Sequence, residues 1–142
     1  MSLRKNKKIE KIRHSLAHIL AYAVQELYPE TKFGIGPVIE NGFYYDFALP
    51  QKISLEDLPK IEKKMEELIK REIDFKKKIV NYEQAKEIFK DQPFKLELIN
   101  DLKTYGTTEY EEIQRIKGGK KKQKEIKKLK IYITGNFVDL CR

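Results

Sequence analysis

The chain contains one cysteine and two histidines, and no apolar run approaches the roughly 18–20 residues needed to span a bilayer. A lone cysteine excludes an intrachain disulfide, so Cys141 is limited to the chemistry of a thiolate or a metal ligand in a reducing compartment. The N-terminal basic segment runs straight into an amphipathic pattern, with no apolar stretch and small-residue cleavage site of a secretory signal. These absences predict a soluble, cytoplasmic protein with no membrane partner. Internal repeats and interdomain linkers are also missing, and 142 residues suffice for one domain around one core. That core should be modest, because 37% of the residues are charged and mean hydropathy is −0.64.

What charge there is, is uneven. Residues 4–13 carry +5 and residues 117–130 carry +7, which leaves −4 for the rest of a chain whose net charge is +8. Two basic segments on a mildly acidic body are the footprint of a polyanionic partner, RNA before membrane, although lysine runs also occur as solvated loops.

Helical periodicity of Ile9, Ile12, Leu16, Ile19, Ala23 and Leu27 predicts a helix over residues 6–28, closed by Pro29. His14, His18, Ala21 and Gln25 fall on its other side, outside the apolar stripe. Residues 32–40 and 43–49 read as two strands joined by an Asn41-Gly42 turn of type I′. Gly34, Gly36 and Pro37 make the first of them an edge strand, bulged, or pressed against a ligand. Alternation sends Phe43, Tyr45 and Phe47 to one face and Tyr44 and Asp46 to the other. A second helix carries Ile61, Met65, Leu68 and Ile69, with Ser54-Asp57 and Pro59 as competing start signals. A strand over residues 75–80, a short helix over 82–89 and a helix from Pro93 to Leu102 follow. Residues 103–127 lack periodicity and predict a mobile polar excursion. Residues 128–134 and 137–142 form a closing hairpin about Gly135-Asn136. The fold class expected is α+β, an antiparallel sheet flanked by helices.

The scarce residues suggest the chemistry. Histidines at i and i+4 project from one side of a helix, where both rings reach one ion, water or substrate. Ser15 stands where zinc metalloproteases place the glutamate that activates water, so protease chemistry is not expected. Adding Cys141 would give two nitrogens and one sulfur, an open zinc site; a solvated histidine face is the plainer alternative.

Four segments carry a resemblance. Arg13-His14-Ser15-Leu16-Ala17-His18, the long stretch from Gly34-Ile35-Gly36-Pro37 to Tyr44-Tyr45-Asp46-Phe47, Phe94-Lys95-Leu96-Glu97-Leu98-Ile99, and Phe137-Val138-Asp139-Leu140-Cys141-Arg142 resemble, in order and spacing, the N-terminal editing domain of bacterial threonyl-tRNA synthetase. The resemblance runs from about residue 9 to the end and omits only the lysine-rich excursion. The histidine and cysteine signature is more distantly similar to alanyl-tRNA synthetase editing domains. No segment resembles the class II motifs that bind ATP and activate an amino acid.

The resemblance implies an editing-domain-like fold over residues 1–142 and a deacylase that hydrolyses mischarged seryl-tRNA(Thr) by water attack on the aminoacyl ester. It assigns catalysis to His14, His18, Lys95 and Asp139, and substrate binding to Tyr45 and Cys141. His14 or His18 would position or deprotonate the water, Lys95 would stabilise developing charge, and Asp139 would hold the α-amino group. No cofactor is required for editing, with zinc on His14, His18 and Cys141 as the metal expectation. The partners implied are serine-charged tRNA(Thr) and the remaining domains of a parent synthetase. The family's motif continues Cys-x-x-x-His, so the domain is expected to be truncated before that histidine and weak alone. The alternatives are a freestanding alanyl-type trans-editing deacylase and a catalytically silent RNA-binding module.

Overall fold

The computed structural model describes residues 3–122 and 127–141, with side chains described from residue 6 to residue 140 of these. The protein is α+β, with five α-helices and three small sheets among the described residues. The order is α1 (Leu3–Leu27), β1 (Lys32–Phe33), β2 (Val38–Ile39), β3 (Gly42–Phe43), β4 (Phe47–Ala48), α2 (Leu58–Lys70), β5 (Phe75–Val80), α3 (Tyr82–Ile88), α4 (Pro93–Tyr105), α5 (Tyr110–Lys117), β6 (Leu129–Thr134) and β7 (Phe137–Cys141). Two compact units arise, Met1–Lys76 with Ile133–Asp139, and Lys77–Tyr132 with Leu140–Arg142. A three-stranded sheet has the order β5-β6-β7.

In the first unit α1 packs on α2, and the core gathers Ile19, Tyr22, Val24, Phe33, Ile61, Leu68 and Phe137. Burying side chains of this size is worth roughly 1.5–3 kcal/mol each, which is what holds so charged a chain compact. Helix α1 is buried on more of its circumference than its apolar stripe predicts. Ala17, His18, Ile19 and the run from Ala21 to Val24 are all buried, whereas Ile12 is half exposed. Ile12, Leu16 and Ile19 instead line a groove of about 390 Å³ with Leu68, Ile69 and Phe75.

The first hairpin departs from its expected turn. Ile39 pairs with Gly42 and Val38 with Phe43, so the two turn residues are Glu40 and Asn41, one position earlier than the sequence suggests. Neither Asn41 nor Gly42 adopts the positive φ of a type I′ turn. The cause lies upstream. The outer ladder pairs Lys32 with Ala48 and Phe33 with Phe47, and Gly34 N donates to Asp46 O at 2.8 Å. Three residues separate Gly34 from Val38 but only two separate Asp46 from Phe43, so the segment between Gly34 and Val38 holds one extra residue. This is the bulge that Gly34, Gly36 and Pro37 signal, and it shifts the register of everything inside it.

Both start signals of α2 are used. Ser54 and Asp57 close a 3-10 turn, Leu55–Asp57, with Ser54 N donating to Asp57 Oδ2 at 2.7 Å, and Pro59 then sits in the first turn of α2.

In the second unit α3 begins with a reciprocal cap. Gln84 N donates to Asn81 Oδ1 at 2.8 Å, and Asn81 N donates to Gln84 Oε1 at 3.0 Å. Helix α4 runs one turn beyond its expected end and stops at Gly106, in the left-handed region at φ 75°. The polar excursion predicted for residues 103–127 contains α5, so that part of the expectation is corrected. Ile113 and Ile116 are buried, as is Glu112, which pairs with Arg115 and Lys120. Two isoleucines three apart make too short a stripe to stand out among charges, and only the ion-paired glutamate completes the buried face. Residues 123–126 of the lysine run lie outside the described residues.

Candidate functional site

The first unit collects three of the expected site residues around a fourth. His14 and His18 occupy successive turns of α1, with ring centroids 4.6 Å apart and planes inclined at 42°. Asp139 is delivered by β7, and its Oδ2 lies 3.0 Å from His18 Nδ1. Tyr45 comes from the segment between β3 and β4, and its hydroxyl donates to Asp139 Oδ1 and Oδ2, both at 2.9 Å.

His18 and Asp139 are each only 3% exposed, so this is a buried polar cluster and not a solvated face. The expectation that the histidine side of α1 is peripheral to the core is thereby corrected for His18. Its imidazole is also approached by Phe75, with ring centroids 6.4 Å apart. A buried carboxylate is costly unless it is paired and hydrogen-bonded, and Asp139 meets that condition through Tyr45 and His18.

Burial holds the pKa of His14 below its usual 6.5, the nearby His18 pushes it the same way, and Asp139 opposes both. At neutral pH His14 is therefore a neutral imidazole, able to accept a proton or a hydrogen bond.

Aromatic packing sets the tyrosine. Tyr45 stacks on Phe47 at 5.0 Å and meets the edge of Phe33 at 6.1 Å, while Phe33 also packs on Phe137 of β7. Arg13, beside His14, donates from its guanidinium to Glu40 O at 2.8 Å, tying α1 to the first hairpin turn. Sequence reasoning did not single out Arg13 or Phe75; the basic and aromatic signals were present, but their partners are remote in the chain.

Lys95 lies on α4 of the second unit and is 3% exposed. Lysine is almost never fully buried unless paired, which sets it apart from the other described lysines. The side chain of Cys141 lies outside the described residues, although its backbone closes β7. Among the described residues no group of three or more His, Cys, Asp and Glu side chains is arranged to hold a metal ion. No helix among them is long and apolar enough to cross a membrane.

No family model matches the chain. It is 49% identical over 136 residues to the threonine–tRNA ligase of Bartonella bacilliformis, covering 94% of this chain and 18% of that protein. It is 42% identical over 134 residues to the threonine–tRNA ligase of Dehalococcoides mccartyi, covering 94% of this chain and 19% of that one. The corresponding enzyme of Staphylococcus carnosus is 41% identical over 134 residues, with 94% and 18% covered. Over nearly its whole length, then, the chain is similar to one stretch of the threonine–tRNA ligases, and it spans about a fifth of the length of the relatives it matches.

Proposed function

We propose that the chain is the N-terminal editing module of a threonine–tRNA ligase and hydrolyses seryl-tRNA(Thr). The observation that carries this reading is the cluster of buried His18 and Asp139 with half-buried His14 and Tyr45, built within a sequence that is 41–49% identical to threonine–tRNA ligases.

The physical need is a small one in size and a large one in consequence. Serine lacks one methyl group of threonine, and a missing methylene is worth only about 1–3 kcal/mol in a binding pocket. A second site that threonine overfills removes what the first accepts in error.

In the proposed reaction a histidine of the pair takes a proton from water as the water oxygen bonds to the ester carbon. The same proton passes to the ribose oxygen as the carbon–oxygen bond breaks, leaving free serine and tRNA. His14 is suited to this because burial keeps it unprotonated at neutral pH. Asp139, buried beside His18, supplies the carboxylate that an α-ammonium group would seek. The resemblance assigns Lys95 to the charge that develops on the carbonyl oxygen, and a lysine retained in a buried position on α4 supports a role beyond solubility. The basic segments are suited to tRNA phosphates, contacts that position without reading sequence. The reaction needs no resident metal; a zinc ion would draw on His14, His18 and Cys141.

The test is release of serine and of threonine from tRNA(Thr), by this chain and by a form extended through the Cys-x-x-x-His pattern. Serine release with threonine spared, unchanged by a chelator, is the expected result. Binding of tRNA with hydrolysis by neither form would overturn the reading in favour of an RNA-binding module, and activity abolished by chelation would favour the alanyl-type alternative.

A further inference from the structure

The charges of the second unit are sorted by element. Its described acidic residues lie on or beside α3, α4 and α5, whereas residues 75–80 and 127–134, which make β5 and lead through β6, include none. Lys77 and Lys78 on β5, Lys127 and Lys128 ahead of β6, and Lys130 within it are all exposed. None of the five forms an ion pair among the described residues. Lys120, nearer the head of the lysine run, is held by Glu112 and does not count with them.

In the sequence these cations belong to two stretches far apart, and only the later one stands out as a basic segment. The sheet joins them. Strands β5 and β6 are hydrogen-bonded neighbours, which sets their backbones about 4.8 Å apart. The division between the units crosses both strands and leaves residues 77–80 and 129–132 together in the second. Five positive charges thus gather at one end of one sheet.

Guarding a sheet edge explains part of this pattern, because β5 is an edge strand and lysine there discourages pairing with another chain. It does not explain Lys130, exposed on the central strand, or the two lysines that precede that strand. Like charges on neighbouring strands repel one another, and a polyanion lying across them turns that repulsion into attraction. The relatives that match this chain are ligases of tRNA, which makes the polyanion RNA and not an anionic membrane.

We propose that Lys77, Lys78, Lys127, Lys128 and Lys130 form one phosphate-binding surface for the backbone of tRNA, assembled by the pairing of β5 with β6. The choice of tRNA rests on the editing reading. Each ammonium group neutralises a phosphate and releases its counterion, which positions the nucleic acid without reading its bases.

The experiment measures binding of the whole chain to uncharged tRNA(Thr) from about 50 to 200 mM KCl. It compares the unaltered chain with Lys77→Gln and Lys78→Gln together, Lys127→Gln and Lys130→Gln together, and all four. A charge-matched control, Lys63→Gln with Lys86→Gln, removes exposed lysines from α2 and α3. Each surface pair should lower the slope of log affinity against log salt by about two, and the four together by about four. Affinity at about 150 mM salt should fall roughly tenfold per pair, equally on a tRNA of another sequence. Arginine at the same four positions should restore the slope, and the control pair should leave it unchanged.

A slope unmoved by the four substitutions, an equal loss in the control pair, or no binding of tRNA by the unaltered chain at the lowest salt would overturn the surface. Tighter capture by vesicles of phosphatidylserine and phosphatidylcholine than by tRNA would overturn it as well. Serine release separates the surface from the reading it rests on. Where editing holds, the four substitutions should raise KM and spare kcat. Release undiminished in that variant would leave editing standing without this surface, and the expected salt slopes with no release of serine would sink editing and leave the surface standing.

Discussion

The hydroxyl of Tyr45 donates to both carboxylate oxygens of Asp139, joining residues 94 positions apart through two contacts of 2.9 Å. One phenol thus anchors the hairpin that follows α1 to the last strand of the chain. Hydrogen bonds to charged acceptors contribute about 1.5–3 kcal/mol when the acceptor has little water to replace them. Tyr45→Phe keeps the stacking on Phe47 and removes only the donor, so it should destabilise the fold by about 2 kcal/mol, read as a lower urea midpoint with unchanged slope. A midpoint equal to that of the unaltered protein would show that water replaces the phenol at no cost.

His14 should titrate below 6.5, and the sign of its neighbours' effects can be checked one at a time. Asp139 raises its pKa and His18 lowers it, so Asp139→Asn should move the His14 midpoint further down, and His18→Ala should move it up. Because the folded value is the lower one, both states are neutral above the unfolded value of about 6.5 and His14 costs nothing there. As pH falls through that value the unfolded chain takes the proton first, and stability declines until the folded pKa is passed. NMR titration of the imidazole, paired with urea midpoints at several pH values, measures both. A midpoint above 6.5 would contradict the burial assigned to this ring.

Gly135 opens the turn between β6 and β7 at φ 58°, and a Cβ there would lie 2.6 Å from the Tyr22 hydroxyl, which itself accepts from Asn136 N at 3.3 Å. Gly135→Ala combines left-handed backbone strain of about 1–2 kcal/mol with that collision. Loss of at least 2 kcal/mol in chemical denaturation is expected. In a Tyr22→Phe background the loss should shrink, since the nearest clashing atom is gone, but not vanish, since φ is unchanged.

Glu72 is the one non-glycine residue at positive φ among the described residues, at 50° just past the C-terminus of α2. No turn chemistry favours a glutamate there. Glu72→Gly should raise stability by about 0.5–1 kcal/mol, despite the extra entropy glycine gains in the unfolded chain. A decrease would mean that the Glu72 side chain, which lines the groove with Lys11, contributes more than the strain costs.

The elements most legible in the sequence are those defined by a local signal. The α1 periodicity, the β5 run, the short helix α3 and the glycine turn of the last hairpin each depend on residues a few positions apart. Helix α5 was not legible, because its buried face is completed by Glu112, and a glutamate reads as solvent-facing until Arg115 and Lys120 are brought to it. The first hairpin was legible as a hairpin but not in register: its turn moved to Glu40 and Asn41 because the bulge at residues 34–37 counts one residue more than its partner strand.

The site divides the same way. Spacing alone puts His14 and His18 on one side of α1, since 3.6 residues per turn leaves no other outcome. Whether that side faced water could not be decided within the helix. His18 is buried because β7 returns Asp139 to it and the hairpin brings Tyr45 to Asp139. Only tertiary structure can supply both partners, and only with them does an imidazole leave water without losing more free energy than the core returns.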